Sequence, residues 1–160
     1  MSVTYRDFLE LRMSSIITLS ALIVSFGLVI LEIGSYTSIL FFAVYLVFNL
    51  KWLYSSYSIF ANETKLNTSS PRNVVLFNFI PLICFYNPYY NIIELLEYSN
   101  KRAIFGYINW TAQLISIPYI IFKAFGDQNF DFLYITVFIW ASFSLYLYHG
   151  VNNKIRKLVR

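Results

Sequence analysis

The stretch Val74-Val75-Leu76-Phe77-Asn78-Phe79-Ile80-Pro81-Leu82-Ile83-Cys84-Phe85-Tyr86 decides how many times this chain crosses a lipid bilayer. It is apolar but only 13 residues long, with Pro81 at its centre and Pro88 just beyond. A helical span needs roughly 20 apolar residues. A short, proline-interrupted stretch suits a re-entrant or interfacial segment better.

Four other stretches are long enough. The first runs from Met13 to Leu31, 19 residues without a charge, or ~28 Å of helix against a hydrocarbon core of ~30 Å. The second is preceded by a turn-like Gly34-Ser35-Tyr36-Thr37-Ser38, begins near Ser38 and extends to Tyr57, with Trp52, Tyr54 and Tyr57 at the interface. The third covers 103–122 and the fourth 132–151. The run after Arg6 and Arg12 is too long for the core of a signal peptide and lacks a cleavage site, so it is expected to remain as the first helix.

Charge decides whether the 13-residue stretch is a fifth span. With four spans and a cytoplasmic N-terminus, Arg6, Arg12, Lys51, Lys65, Arg72, Lys101, Arg102, Lys154, Arg156, Lys157 and Arg160 lie inside and Lys123 alone outside, 11 against 1. A fifth span moves Lys101, Arg102, Lys154, Arg156, Lys157 and Arg160 outside and Lys123 inside, 6 against 6. The positive-inside rule selects the first arrangement. The expectation is an all-α, four-helix integral membrane bundle forming one domain over 1–160, both termini cytoplasmic. Residues 62–102 form a cytoplasmic loop and an interfacial or re-entrant amphipathic segment.

Composition agrees. Apolar types make up 58% of the 160 residues and charged types 12%, against ~45–50% and ~25% in soluble domains. The net charge of +4 reflects the topology anchors, so nucleic acid is not an expected partner. The lone Cys84 and the lone His149 leave too few soft ligands for a usual zinc site. No metal and no cofactor are expected.

In the central segment, Lys51 to Ala61 continues the second helix and Asn62 to Asn73 is a polar loop. The sequons at Asn62 and Asn67 carry no meaning on a cytoplasmic loop. Asn87 and Pro88 fit an N-cap and first helical position. The helix that follows carries Ile92, Ile93, Leu95 and Leu96 on one side, Glu94, Glu97 and Lys101 on the other. Glu97 and Lys101 have the spacing of a helical ion pair. The plain reading is a membrane-surface helix joining two spans. The functional one makes Pro81, Pro88, Glu94, Glu97 and Lys101 part of a partner-binding or gating element.

The run Trp52-Leu53-Tyr54, a polar loop, Phe79-Ile80-Pro81-Leu82, Asn87-Pro88-Tyr89, Glu94-Leu95 and Ser99 resembles the bacterial membrane family called domain of unknown function 4328. That family has an aromatic-Ile-Pro-Ile segment, a Pro-Tyr, a Glu-Ile/Leu-Trp and a Ser, then a Trp-rich start to the next span, which Asn109-Trp110 echoes. The resemblance covers about residues 45–115. It departs at Leu96, where Trp is usual, and in the basic residues missing after Trp52. It implies a bacterial multi-pass inner-membrane protein and no particular activity.

Polar residues recur at helical spacing inside the spans. The first helix has Ser14, Thr18, Ala21 and Ser25; the second Tyr45, Asn49, Trp52 and Ser56. The third has Gly106, Asn109, Gln113 and Ser116; the fourth Trp140, Ser144 and Tyr148. Such stripes pack helices, with interhelical amide bonds contributing ~0.6–2 kcal/mol, or they line a water path within one bundle or between subunits. Asn109, Gln113 and Ser116 are the foremost lining candidates, with Asn49, Ser14, Thr18 and Ser25 behind them.

No serine-histidine-carboxylate set, phosphate-cradling glycine loop or HExxH is present, and no charge lies centrally in a span as proton relays require. The chain is not expected to be an enzyme. The leading expectation is a small oligomeric, channel-like or membrane-perturbing effector or accessory protein that responds to a cytoplasmic partner. The alternative is a non-conducting anchor or structural subunit that docks a cytoplasmic protein through helix 88–101. Expected partners are the bilayer, further copies of the chain and a cytoplasmic protein.

Overall fold

A computed structural model describes residues 3–31, 35–64, 70–80, 83–102, 104–125 and 133–159. These residues are helical almost throughout, without a strand among them. The elements are α1 (Tyr5–Ile30), α2 (Ser35–Thr64), α3 (Pro71–Leu76), a short 3-10 turn (Phe77–Phe79), α4 (Ile83–Tyr98), α5 (Ile104–Phe125) and α6 (Leu133–Arg156). Two helices among the described residues, Tyr5–Val29 and Tyr36–Phe60, are long and apolar enough to cross a membrane. Both present large apolar side chains outward, including Ile16, Ile23 and Val24 on α1 and Leu40, Leu46 and Val47 on α2. On α6, Ile135, Phe138 and Leu145 do the same.

Helix α1 pairs with α2 and α5 with α6, and α1 also packs on α6. Two hydrophobic cores result. The larger, at the base, gathers Val3 just before α1, Phe8 and Leu11 of α1, Trp52, Tyr57 and Phe60 of α2, Val74 of α3, Leu95 and Leu96 of α4, and Leu147, Tyr148, Val151 and Ile155 of α6. Both ends of the chain therefore meet in this core. The smaller core, at the crown, joins Ala21, Leu22, Phe42, Tyr45, Ala112, Val137 and Trp140. Tyr45 and Trp140 meet edge to face at 5.3 Å, an arrangement aromatic quadrupoles favour.

Local chemistry sets the ends of the elements. Thr4 caps α1 in a reciprocal box: its hydroxyl accepts the Asp7 N–H (3.2 Å), and its own N–H donates to the Asp7 carboxylate (2.9 Å). These bonds from Thr4 hold the Asp7 carboxyl below its ordinary pKa. Helix α2 runs unbroken for 30 residues, about 45 Å, so the extension past Lys51 reaches Thr64 and takes the start of the expected polar loop with it. Ser70 caps α3 and Pro71 holds its first position.

Helix α4 departs from the sequence reading at both ends. It begins at Ile83, so Asn87 is not its cap and Pro88 lies inside it. A proline there removes only the backbone bond to residue 84, and the helix continues through it. Pro81 and Gly34 lie outside the described residues. At the other end, Lys101 N–H donates to the Leu96 carbonyl (2.8 Å) and Asn100 N–H to that of Glu97 (3.0 Å), with Asn100 at φ 57°. This is a Schellman ending with asparagine in the left-handed position. It carries Lys101 off the helical path, so the expected Glu97–Lys101 ion pair does not form. The Lys101 ammonium instead lies 4.8 Å from the Tyr146 ring centre. The only ion pair among the described residues is the exposed Arg6–Glu10, a weak contribution to stability.

A candidate polar cavity inside one chain

The polar stripes do not share one fate. On α1, Ser14 Oγ donates to the Glu10 carbonyl (2.9 Å) and Thr18 Oγ1 to the Ser14 carbonyl (2.7 Å). Both residues are buried and satisfied within their own helix. Ser25 Oγ donates across to the Ser38 carbonyl of α2 (2.8 Å), where the two helices approach. The α1 row thus serves close packing.

On α5 and α6 the polar atoms bond between helices. Gln113 Nε2 donates to Asn109 Oδ1 (2.5 Å), and Asn109 Nδ2 donates to Ser144 Oγ of α6 (3.0 Å). Asn109 is 1% exposed. Ser116 Oγ donates to Thr136 Oγ1 (3.2 Å) one turn nearer the crown. On the α2 side, Tyr148 OH donates to Asn49 Oδ1 (2.7 Å), and Trp52 lies edge-on to Tyr148 at 4.4 Å. Trp52 Nε1 donates to Asn152 Oδ1 (3.3 Å), and Asn152 Nδ2 to Ser15 Oγ (2.9 Å), which ties α2, α6 and α1 together.

These stripes surround a cavity of about 370 Å³. Tyr45, Asn49 and Trp52 of α2, Gln113 of α5, and Ser144 and Tyr148 of α6 line it from the side. Asn78, Phe79, Asn91 and Leu95 line it at the base, where Phe79 is exposed and marks the meeting with the surface. The lining contains four amides, two phenols and one serine hydroxyl, and no Asp, Glu, Lys, Arg or His.

The base is closed by α4. Tyr57 OH of α2 lies 2.5 Å from Glu94 Oε2 and 3.4 Å from both the carbonyl oxygen and Oδ1 of Asn91. A phenol has one proton to donate, and the carboxylate is the strongest acceptor of the three. Asn91 is 3% exposed and its Nδ2, buried, has no hydrogen-bond partner among the described residues. A buried amide donor without an acceptor is rare and needs an account.

The expected site residues are thus distributed. Asn49 and Gln113 line the cavity, Asn109 holds Gln113 in place, and Ser116 links α5 to α6 outside it. Ser14, Thr18 and Ser25 do not reach it. Glu94 anchors α4 through Tyr57 and is half-buried, not on the open side of the helix; Glu97 is exposed. Pro88 is placed by backbone only. Sequence reading passed over Asn152, Asn91, Asn78 and the role of Tyr57. One further four-residue step along the α6 stripe, from Tyr148, reaches Asn152. Asn91 sits four residues before Leu95, on the same buried face. His149 is exposed and bonds Asn153 (2.8 Å), and no three His, Cys, Asp or Glu side chains cluster among the described residues.

Comparison of the chain with protein-family models, with curated proteins and with solved structures returns no match.

Proposed function

We propose that this chain is a small four-span protein of the bacterial inner membrane, with both termini cytoplasmic, and that it is channel-like, its path lying within a single chain. The observation that carries this reading is the convergence of the α2, α5 and α6 polar faces on one charge-free cavity. Amides and hydroxyls in hydrocarbon are retained where they bond one another or meet water. The outward rows of Ile, Leu, Val and Phe on α1, α2 and α6 support immersion in lipid. The basic residues at the base, Arg6, Arg12, Lys101, Arg102, Lys154 and Lys157, support a cytoplasmic base. The resemblance of residues 45–115 to a bacterial membrane family points the same way. Self-association sets the number of copies side by side without building the path, since each copy carries its own cavity. The chain is read as a non-enzyme without a cofactor.

Docking of a cytoplasmic protein through α4 has less support. Leu95 and Leu96, two of the apolar residues of that helix, already face the base core.

The test is reconstitution into vesicles. Glycerol permeability should rise above that of empty vesicles, and the Asn109→Leu, Gln113→Leu double variant should lose the increase while keeping its native mass. Equal permeability with and without the protein overturns the reading. Cysteine introduced at Lys157 should be labelled only from the cytoplasmic side; labelling from outside in intact cells overturns the topology.

A further inference from the structure

We propose that the groove between α1 and α6 holds an acyl chain of an anionic phospholipid of the cytoplasmic leaflet, with Arg12 and Arg156 on its phosphate. The proposal rests on the four-span reading for the immersion of α1 and α6 in lipid. It does not depend on the path, which is lined by α2, α5 and α6.

Three observations carry it. The first is the groove itself, with a volume of about 330 Å³. Leu19, Ile23 and Phe26 of α1 form one wall, and Phe138 and Leu145 of α6 the other, with Ala141 between them. Ser142 is the one polar residue of the lining. Ile23, Leu145 and Phe138 are 60%, 56% and 71% exposed, so the groove lies open along its rims. A hydrocarbon chain fills such a channel without leaving a polar group unpaired.

The second is the charge at the base end of the groove. The Ser15–Asn152 hydrogen bond (2.9 Å) fixes the register of α1 against α6. Arg12 lies three residues before Ser15 and Arg156 four residues after Asn152, so both stand one turn nearer the base. Arg12 is two whole turns from Leu19, and Arg156 three whole turns from Leu145, which puts both on the faces that form the groove. Both are exposed, and neither forms an ion pair among the described residues. The carboxylates of α1 are engaged elsewhere, Asp7 in the Thr4 cap and Glu10 with Arg6, and α6 has none. Guanidinium groups bind phosphate oxygens through paired N–H donors. An apolar helix of a second copy would fill the groove and leave both guanidiniums without a countercharge. An anionic phospholipid meets the groove and the cations together.

The third is length. Fourteen residues of helix separate Arg12 from Phe26, ~21 Å. Half of a bilayer with its headgroups is ~20–22 Å thick. A phosphate at the arginines therefore lets its acyl chain run the length of the groove to the bilayer centre.

The experiment offers the delipidated full chain, in mild detergent, equal amounts of phosphatidylglycerol and phosphatidylcholine with the same acyl chains. Intact-mass spectrometry counts the lipid retained. Phosphatidylglycerol should be retained in preference, and inorganic phosphate should not displace it. The Arg12→Gln, Arg156→Gln variant should weaken its retention about fivefold or more, one cation at an anionic surface being worth about that factor. The Arg6→Gln, Lys157→Gln variant removes the same charge from other faces and should change retention little. Ser142→Phe, at an exposed position of the groove, should lower retention of both lipids, with thermal midpoint and native mass recorded on each sample. Equal retention of the two lipids by the unaltered protein overturns the proposal. Equal losses in the two charge variants do so as well, since they mean a diffuse attraction. Displacement by phosphate overturns the role of the acyl chain. Unchanged lipid retention by Ser142→Phe with an altered native mass gives the groove to a second copy and overturns the lipid. Labelling of Lys157→Cys from outside, with the lipid preference intact, overturns the topology and leaves the lipid site standing. Labelling from the cytoplasmic side without a lipid preference does the reverse.

Discussion

Ser14, Thr18 and Ser25 on α1 and Asn109, Gln113 and Ser116 on α5 recur at the same helical spacing, yet their hydrogen bonds run in different directions. Ser14 and Thr18 donate to carbonyls one turn back in their own helix. Asn109 and Gln113 form a chain that ends on Ser144 of a neighbouring helix. The difference is chemical. A hydroxyl has one proton and a short stem, and the free lone pair of the carbonyl four residues earlier is within its reach. A primary amide has two donors and an acceptor on a planar group, more than one backbone carbonyl can meet. In a low-dielectric setting hydroxyl rows therefore make quiet packing surfaces, whereas amide rows demand a partner helix, water or a guest.

Substitutions break or sharpen this contrast. The largest effect is expected at Trp52, which stands between the two systems, with its ring on Tyr148 and its Nε1–H donating to Asn152. Trp52→Ala should cost ~3–5 kcal/mol, as buried aromatic truncations do, read as a lowered thermal midpoint in detergent. A loss comparable to that of a surface substitution would mean the base core does not close around it.

Asn109→Leu comes next. It strands the Gln113 amide and the Ser144 hydroxyl, and should lower stability by ~1–2 kcal/mol. The double variant with Gln113→Leu should be less damaging to stability than the sum of the two single changes, because the second removes a group the first has stranded. Thermal denaturation of the three variants checks this; simple additivity would mean that the two amides act apart.

On α1 the effects are expected to shrink. Ser25→Ala removes the one cross-helix bond of that row and should cost ~0.5–1 kcal/mol. Thr18→Val keeps the shape and removes only a bond within the helix, so a change within about 0.5 kcal/mol is expected. A Thr18 effect as large as that at Asn109 would erase the distinction between the rows.

The smallest effect is one of pH. The Thr4 backbone N–H and hydroxyl hold the Asp7 carboxyl below its usual range. A carboxyl whose folded pKa is depressed contributes stability above its unfolded pKa and loses it as pH falls through the folded value. Below about pH 4, the ordinary aspartate range, the protection of the amides of residues 5–8, taken against their intrinsic exchange rates at each pH, should therefore fall. Asp7→Asn should show the lower protection at all pH values.

Much of this was legible in residue patterns. The proline at position 81 and the shortness of the stretch 74–86 predicted a broken segment, and the described residues there form α3, a 3-10 turn and the start of α4. Of the stripes of α2, α5 and α6, Tyr45, Asn49, Trp52, Gln113, Ser144 and Tyr148 line the cavity, whereas Ser56, Gly106, Asn109, Ser116 and Trp140 do not. The end of α4 was not legible, because Glu97 and Lys101 satisfy the spacing of an ion pair whether or not the helix lasts that long. The left-handed Asn100 ends it first.

Sequence alone determined the helical class, the apolar runs and the helical face on which each polar residue lies, since these follow from local composition and the period of 3.6. Tertiary structure alone decided which faces meet. It closed the α1 row against α2 and opened the amide rows onto a shared cavity. It also turned Glu94 to Tyr57 and left Asn91 Nδ2 buried without an acceptor. Helical period says which residues share a face of one helix; only packing between helices, over separations such as the hundred residues from Trp52 to Asn152, says what that face will touch.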